Sequence, residues 1–203
     1  MMKRQELKKW QDLTQKILND AWQFKQLCKK PFDRGFIGEL LVLNTILKTY
    51  GSDICNSPNS NFVYAGSANK KWDISLTLGN KTIFINAKST TMHDKNMNPL
   101  WVRQNAKTFC DINIDTKTFK QFVSLKKESE PNLFYVFVDT GGWLKNHEKK
   151  LFTLSDKEAN LIFGKDYLKS YHKKVRKSKS TDFWIKYKDI KKYEDNKISR
   201  IFK

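Results

Sequence analysis

The sequence feature that most constrains the fold is a pair of short apolar segments separated by a tight-turn dipeptide. Residues Trp72–Leu78 alternate apolar and polar side chains, and residues Thr82–Lys88 are mostly β-branched or aromatic. Gly79-Asn80 lies between them, and a two-residue loop of this kind closes a β-hairpin. The pattern therefore predicts an antiparallel hairpin over residues 72–88.

The length of the turn determines which residues of the two strands lie opposite one another. A two-residue loop pairs Leu78 with Lys81. Counting back along both strands, Asp73 then lies opposite Asn86 on the same face, and Lys88 returns to that face two residues later. The register therefore predicts an acid, an amide and an amine together at the open end of the hairpin. The opposite face is predicted to be apolar and to consist of Ile74, Leu76, Ile83 and Ile85.

The charge of the chain favours a polyanionic partner. Its 203 residues include 39 Lys and Arg but only 21 Asp and Glu, which gives a formal net charge of +18. Such an excess attracts phosphates and favours the release of their counterions. Because most of the excess is Lys, a biased nucleotide composition of the genome is the alternative explanation. We interpret the charge as a sign of nucleic-acid binding.

The hairpin residues resemble the active site of the PD-(D/E)XK nuclease superfamily, which includes many restriction endonucleases and DNA-repair nucleases. The motif of that superfamily is an Asp near the start of one strand and an acid-x-Lys triplet on the next. Asp73 matches the Asp, and Asn86-Ala87-Lys88 matches the triplet with Asn in place of the usual acid. Many members also place a Glu on a helix upstream of the hairpin, and Glu39 matches that Glu. The resemblance covers about residues 34–138.

The resemblance implies a fold and a catalytic site. The fold would be a single restriction endonuclease-like α/β domain over residues 1–203, with a mixed β-sheet flanked by helices. The catalytic residues would be Asp73, Asn86, Lys88 and Glu39. A Mg²⁺ ion, or Mn²⁺ as a substitute, would be held by Asp73, Asn86, Glu39 and the backbone carbonyl of Ala87. Lys88 would orient the attacking water and offset negative charge on the phosphate.

The resemblance also implies a function and a partner. The protein would be a Mg²⁺-dependent endonuclease of the type II restriction kind that cuts double-stranded DNA, and it would act as a homodimer so that two sites meet two strands. The neutral Asn86 keeps another possibility open, a non-catalytic DNA- or RNA-binding protein on a degenerate nuclease fold. A nuclease acting on RNA or on branched DNA is a further alternative. A surface hairpin with a polar outer face is the simplest structural explanation.

Two segments are candidates for contact with DNA. Residues 100–107 and the basic C-terminal region, residues 165–203, are both rich in side chains that donate hydrogen bonds to phosphates and base edges. A solvent-exposed connection and a solvated helix end are the respective alternatives. The candidate DNA-binding residues are Arg103, Gln104, Asn105, Lys107, Lys173, Lys174, Arg176 and Lys177.

Apolar residues at three- and four-residue steps predict two N-terminal helices within residues 5–50. The second helix is expected to begin after an N-cap at Asp33 and to stop at Gly51. Residues 52–60 are rich in Ser, Asn, Asp and Pro, which predicts a loop, and residues 89–98 are expected to be irregular.

The remainder of the chain predicts a mixture of short elements. A helix is expected from Asp115 to Lys127, and a strand buried on both faces is expected from Leu133 to Val138. Gly141-Gly142 is expected to break the chain. Ser155 and Glu158 form a capping box that opens a helix. Further strands are predicted at Phe62–Tyr64, Lys150–Leu154 and Phe183–Tyr187.

Several classes of protein are disfavoured. The three cysteines are widely spaced and form no Cys-x-x-Cys pair, which disfavours a disulfide framework or a structural zinc site. The N-terminus lacks the apolar segment of a signal peptide. The longest apolar run, Leu133–Val138, is too short to cross a bilayer. We therefore expect a cytoplasmic protein without a membrane partner.

Overall fold

A five-stranded mixed β-sheet organises the structure of the chain. The structure is a computed structural model, and it describes residues 2–27, 33–65, 72–103, 108–109, 112–115, 122–124, 129–163 and 183–202. Its helices are α1 (Arg4–Leu27), α2 (Arg34–Asn56), α3 (Thr140–Asn146) and α4 (Asp156–Phe163). Short helical turns follow at Tyr187–Ile190, Lys191–Tyr193 and Ser199–Phe202.

Ten strands form three sheets in the described ranges. The first seven are β1 (Asn61–Tyr64), β2 (Ile74–Leu78), β3 (Lys81–Thr90), β4 (Leu100–Arg103), β5 (Thr108–Phe109), β6 (Ile112–Asp115) and β7 (Phe122–Ser124). The last three are β8 (Leu133–Asp139), β9 (Leu151–Ser155) and β10 (Phe183–Lys186). The main sheet has the order β1-β2-β3-β8-β9, while β4 pairs with β10, and β5, β6 and β7 form a small sheet.

The main sheet is mixed because one of its four pairings is parallel. β2 runs antiparallel to both β1 and β3, and β9 runs antiparallel to β8, but β3 and β8 run parallel. Parallel neighbours end at the same edge of a sheet, so the carboxyl ends of β3 and β8 lie side by side. The predicted α/β class, a mixed sheet flanked by helices, is confirmed at this level.

The β2–β3 hairpin has the predicted register. Leu78 pairs with Lys81, Leu76 with Ile83 and Ile74 with Ile85. Gly79 has a φ of 59°, which suits the first central position of a type II′ turn, where glycine is favoured because it has no Cβ. The hairpin itself is therefore confirmed in its turn and in its ladder.

Apolar side chains form one core on each face of the sheet. The first core joins α1 and α2 to the fully buried face of the hairpin, and the predicted apolar face is confirmed. The second core covers the other face, where Tyr135 and Phe137 of β8 pack with Phe152 of β9 and Trp101 of β4. β8 therefore has buried side chains on both faces, as its continuous apolar sequence predicts.

Two predicted boundaries are wrong near the hairpin. α2 does not stop at Gly51 but continues to Asn56, because its apolar face continues into the core through Ile54 and Cys55. The predicted loop over residues 52–60 is thus helical over its first five positions. β3 extends to Thr90, since Ser89 and Thr90 still pair with β8 in register.

Two further predictions are wrong in the second half of the chain. The helix expected from Asp115 to Lys127 is contradicted at its described residues, where Asp115 ends β6 and pairs with Phe122 at the start of β7. Gly141-Gly142 does not break the chain but lies in the first turn of α3. Asp139 caps this helix, because its carboxylate accepts a hydrogen bond from the backbone N–H of Gly142 at 2.7 Å.

Other local predictions are confirmed. Asp33 caps α2 by accepting the Phe36 N–H at 3.1 Å. The capping box of α4 is complete, since Ser155 N–H donates to the Glu158 carboxylate and Glu158 N–H donates to the Ser155 hydroxyl. None of the described helices combines the length and the apolar composition that a bilayer span requires.

Candidate active site

The open end of the hairpin is the place where β2 and β3 stop pairing regularly. The last regular pair joins Ile74 to Ile85. The backbone N–H of Asp73 also donates to the carbonyl of Ile85, at 2.8 Å, so two consecutive residues lie against one residue of β3. This arrangement is a β-bulge, and bulges re-aim side chains at strand ends and beside active sites. It replaces the regular opposition of Asp73 and Asn86 that the sequence predicts.

Where the β2–β3 ladder is interrupted, the carboxylate of Asp73 replaces a backbone carbonyl as the hydrogen-bond acceptor. Its Oδ2 accepts a hydrogen bond from the backbone N–H of Ala87 at 2.7 Å. In a continued ladder this N–H would donate to a backbone carbonyl of the neighbouring strand. The side chain of Asp73 is only 9% exposed, yet a carboxylate has about four acceptor positions. The same group can therefore hold the β3 backbone and bind a cation.

Glu39 reaches the open end of the hairpin from helix α2. The helix lies close to β3, because a Cβ at Gly38 would overlap the Ser89 hydroxyl and come within 2.9 Å of the Ser89 Cβ. The half-buried Glu39 accepts a hydrogen bond from the hydroxyl of Tyr64, on β1, at 2.7 Å. The helix and the first strand therefore both fix the position of this carboxylate.

Neighbouring charges and burial act on the two carboxyl groups of the site, Glu39 and Asp73. Burial raises the pKa of Glu39, the Tyr64 hydroxyl lowers it, Asp73 raises it further, and Lys88 lowers it. Burial also raises the pKa of Asp73, while the Ala87 N–H and the Lys88 ammonium lower it. The structure thus brings together three of the residues that the motif identifies: two acids and the lysine.

Contacts on several sides fix the position of the Asn86-Ala87-Lys88 triplet on β3. Asn86 is 9% exposed and pairs with Tyr135 on β8. The N–H and C=O of a strand residue point to the same side, so the Ala87 carbonyl lies on the edge that faces Asp73. The backbone carbonyl of Lys88 accepts a hydrogen bond from the indole Nε1 of Trp101 at 2.8 Å. Trp101 is therefore a buried support of the site, although it lies in a predicted DNA-contact segment.

Sequence reasoning missed Tyr64. Burial and the hydrogen bond to Glu39 raise the pKa of the Tyr64 hydroxyl, so it remains a neutral donor. Tyr64 and Glu39 are 25 residues apart, and only the packing of β1 beside α2 brings them together. No local pattern in the sequence signals this contact.

Of the eight predicted DNA-binding residues, one, Arg103, lies among the residues that the structure describes. Arg103 ends β4 and pairs with Phe183 of β10. The other seven lie outside the described residues: Gln104, Asn105, Lys107, Lys173, Lys174, Arg176 and Lys177.

The donor set of the site suits a hard cation. In the described ranges, no group of three or more His, Cys, Asp or Glu side chains is close enough to hold a metal ion. Mg²⁺ is commonly bound through one or two carboxylates, with waters and substrate phosphates completing its shell. Glu39 and Asp73 provide two carboxylates, and the charge of Asp73 raises the pKa of Glu39, an effect that a nearby cation would oppose. The Ala87 carbonyl and the Asn86 amide add neutral oxygen atoms on the same strand.

No protein-family model, curated protein or solved structure matches this chain at a significant level. The geometry and the chemistry of the site are therefore the basis for assigning a function.

Proposed function

We propose that this protein is a Mg²⁺-dependent endonuclease of the PD-(D/E)XK type that hydrolyses DNA phosphodiester bonds. The observation that carries this proposal is that Asp73 accepts a hydrogen bond from the Ala87 N–H at the open end of the hairpin and lies within electrostatic reach of both Glu39 and Lys88. The motif predicts this grouping from residues that lie up to 49 positions apart in the sequence. The mixed sheet flanked by helices is compatible with a restriction endonuclease-like fold.

The two acids and the β3 backbone would hold the metal. Asp73 and Glu39 would bind it through carboxylate oxygens, Ala87 through its carbonyl, and Asn86 through its amide oxygen. A bound Mg²⁺ would lower the pKa of a coordinated water and stabilise charge on the phosphate. The hydrogen bond from Tyr64 restricts the rotation of Glu39, and that from Ala87 restricts Asp73, so both ligands are oriented before substrate binds.

Lys88 would act on the phosphate and on the attacking water. Its ammonium carries three donors and lies close enough to both acids to lower their pKa values. The two carboxylates and a bound phosphate would attract its positive charge. We therefore assign Lys88 to orienting the water and to stabilising the negative charge that develops in the transition state.

The excess of positive charge supports double-stranded DNA as the partner, because every phosphate of a duplex attracts it. A single site cuts one strand at a time. A type II restriction-type enzyme with one such site per chain would therefore act as a homodimer, with the two sites related by twofold symmetry.

Asn86 favours a second candidate function. An amide is a weaker ligand for Mg²⁺ than a carboxylate, so the fold could bind nucleic acid without cutting it. In that case binding would weaken steeply with salt, and no divalent metal would support cleavage.

The decisive experiment is a cleavage screen over duplex DNA, single-stranded DNA and RNA, with Mg²⁺, Mn²⁺ or EDTA. We expect cleavage of duplex DNA with either metal and none with EDTA. Lys88→Ala should abolish cleavage, whereas Lys81→Ala, at the other end of the same strand, should not. Salt-sensitive binding without cleavage under any metal supports the non-catalytic function instead. Metal-dependent cleavage that survives both Lys88→Ala and Asp73→Asn removes these residues from the mechanism.

A further inference from the structure

The loop of residues 91–99 follows directly after the strand that carries Lys88. The chain leaves β3 at Thr90 and returns at Leu100 as β4. Because Lys88 lies only two residues before the end of β3, or about 6.6 Å along the strand, this loop begins beside the candidate site. A strand of duplex DNA has one phosphate for about every 3.4 Å of helix axis. The phosphates next to one bound at Lys88 would thus be separated from it by distances similar to that between Lys88 and the start of the loop.

Hydrogen bonds close the base of the 91–99 loop. The hydroxyl of Thr90 donates to the carbonyl of Leu100 at 2.7 Å and accepts the N–H of Met92 at 3.0 Å. The N–H of Leu100 donates to the carbonyl of Met92 at 2.9 Å. These bonds connect the two ends of the loop to each other and to the sheet.

His93 anchors the 91–99 loop to the neighbouring strand. Its Nε2 lies 3.0 Å from Oδ1 of Asp139, which is 3% exposed and also caps α3. The imidazole packs on the first turn of that helix, where a Cβ at Gly141 would come within 2.8 Å of the His93 Cε1. The side of the loop that faces the protein is thus fixed by a buried carboxylate and by a helix.

The tip of the 91–99 loop is also ordered, but its side chains are exposed. The carboxylate of Asp94 accepts the N–H groups of Asn96 at 2.8 Å and Asn98 at 3.0 Å, and these bonds lower the pKa of Asp94. Met97 has a φ of 61°, in the left-handed region that few residues with side chains adopt. Lys95, Asn96 and Met97 are all exposed, Met97 by 58%. The loop thus holds a cation, an amide and an apolar side chain in solvent.

We propose that the 91–99 loop is the surface of the nuclease that contacts duplex DNA next to the scissile phosphate. Lys95 contacts a backbone phosphate, while Asn96 and Met97 enter a groove and contact base edges. Lysine is a common phosphate contact, an Asn amide can bind adenine through two hydrogen bonds, and apolar groups contact the thymine methyl group. Because the loop is already ordered, binding DNA costs little conformational entropy. This proposal rests on the proposed nuclease function.

Photo-cross-linking tests the position of the loop on DNA. We would replace Met97 by a benzoylphenylalanine residue and place the same group at Leu161 as the matched control. Leu161 lies on α4 and is 74% exposed, so both labels are accessible to solvent. Binding of each protein to a fluorescent DNA duplex would be measured first by anisotropy, with Ca²⁺ in place of Mg²⁺.

We expect a covalent adduct with the duplex from position 97 and none from position 161. If the labelled proteins bind the duplex but position 97 gives no more adduct than position 161, the loop proposal is wrong and the nuclease proposal stands. If position 97 cross-links only to another protein chain, the loop is a protein contact and the proposal is also wrong. If the unmodified chain binds no duplex, both proposals fall together.

The salt dependence of binding tests Lys95 separately. A Lys95→Ala variant that loses one phosphate contact should reduce the slope of log affinity against log salt by about 0.9. Lys157→Ala, on α4, provides a comparison for the loss of one positive charge elsewhere on the chain. An equal change of slope in the two variants would show that Lys95 acts only through the net charge.

Discussion

The two ends of the β2–β3 hairpin differ in how they use the same pair of strands. At the closed end, Leu76 and Ile83 form a regular, fully buried pair beneath α1 and α2. At the open end the ladder is interrupted by a bulge, and Asp73 uses its carboxylate to hold the Ala87 N–H. Burying apolar groups stabilises a fold, whereas burying acids near one another costs free energy. The closed end therefore stabilises the hairpin, and the open end presents chemical groups.

Substitutions at the open end of the hairpin should have the largest effect, a loss of DNA cleavage with little change in stability. Asp73→Asn keeps the acceptor for the Ala87 N–H, and Lys88→Ala removes a half-buried ammonium. We expect each to reduce the rate of DNA cleavage by at least about 10³-fold, equivalent to about 4 kcal/mol of transition-state stabilisation. The free energy of unfolding should change little, and it would be measured by urea titration. A parallel loss of stability and activity would mean that the open end is structural.

The converse substitution at the closed end should affect stability and leave chemistry intact. Ile83→Ala removes a fully buried side chain from the first core. We expect it to cost about 2–5 kcal/mol of unfolding free energy, with the cleavage rate per folded molecule unchanged. Val63→Ala, at a half-exposed position on β1, is the control and should cost much less. A similar cost in both variants would contradict the assignment of the core.

Substitutions at two glycines of α2 distinguish the effect of the helix's packing against β3 from the effect of intrinsic helix propensity. A Cβ at Gly38 overlaps Ser89, whereas a Cβ at Gly35 meets only the Asp33 carboxylate at 3.4 Å. Gly38→Ala should destabilise the fold by about 1–3 kcal/mol and reduce cleavage, since the helix that carries Glu39 must shift. Gly35→Ala should be neutral or stabilising by up to about 1 kcal/mol. If both variants behave alike, α2 does not need its close approach to β3.

The pH dependence of stability gives the smallest effect. The pKa values of Glu39 and Asp73 are raised above 4.5 and 3.8, so the folded chain binds protons more tightly than the unfolded chain. Their contribution to stability is then largest in acid and falls as the pH rises above those values. Without metal, an Asp73→Asn/Glu39→Gln variant should be at least as stable as the natural chain at neutral pH, as thermal melts can show.

Adding Mg²⁺ should make the natural chain more stable than the Asp73→Asn/Glu39→Gln variant. Mg²⁺ at 100 times its dissociation constant should stabilise the natural chain by about 2.7 kcal/mol and leave the double variant unchanged. Equal stabilisation of both proteins would place the metal elsewhere.

The closed end of the hairpin was predictable from the sequence because its information is local. A two-residue turn fixes the register, and alternating residues fix the buried face, so Ile74 and Ile85 could be paired without a structure. The bulge at Asp73 was not predictable, because it depends on how the strand leaves the sheet. Tyr64 was missed for a similar reason, since its contact with Glu39 joins two elements that are distant in the sequence.

The wrong predictions have two kinds of physical cause. Two glycines predict a break at positions 141–142, yet a local contact, the capping carboxylate of Asp139 three residues before Gly142, stabilises a helix there. In the other two cases, contacts with other parts of the chain outweigh the local preference. Apolar spacing after Asp115 predicts a helix, yet pairing between β6 and β7 produces strands instead. Gly51 predicts a helix end, yet burial of Ile54 continues α2.

A kinetic double-mutant cycle determines whether Asp73 and Lys88 act as one centre. The rate of Mg²⁺-dependent DNA cleavage would be measured for the natural chain, for Asp73→Asn, for Lys88→Ala and for the double variant. Residues that act as a unit have non-additive effects, so the double variant should be within about tenfold of the slower single variant. Natural rates in either single variant, or a double variant whose loss is the product of the two single losses, would contradict a shared metal-dependent site.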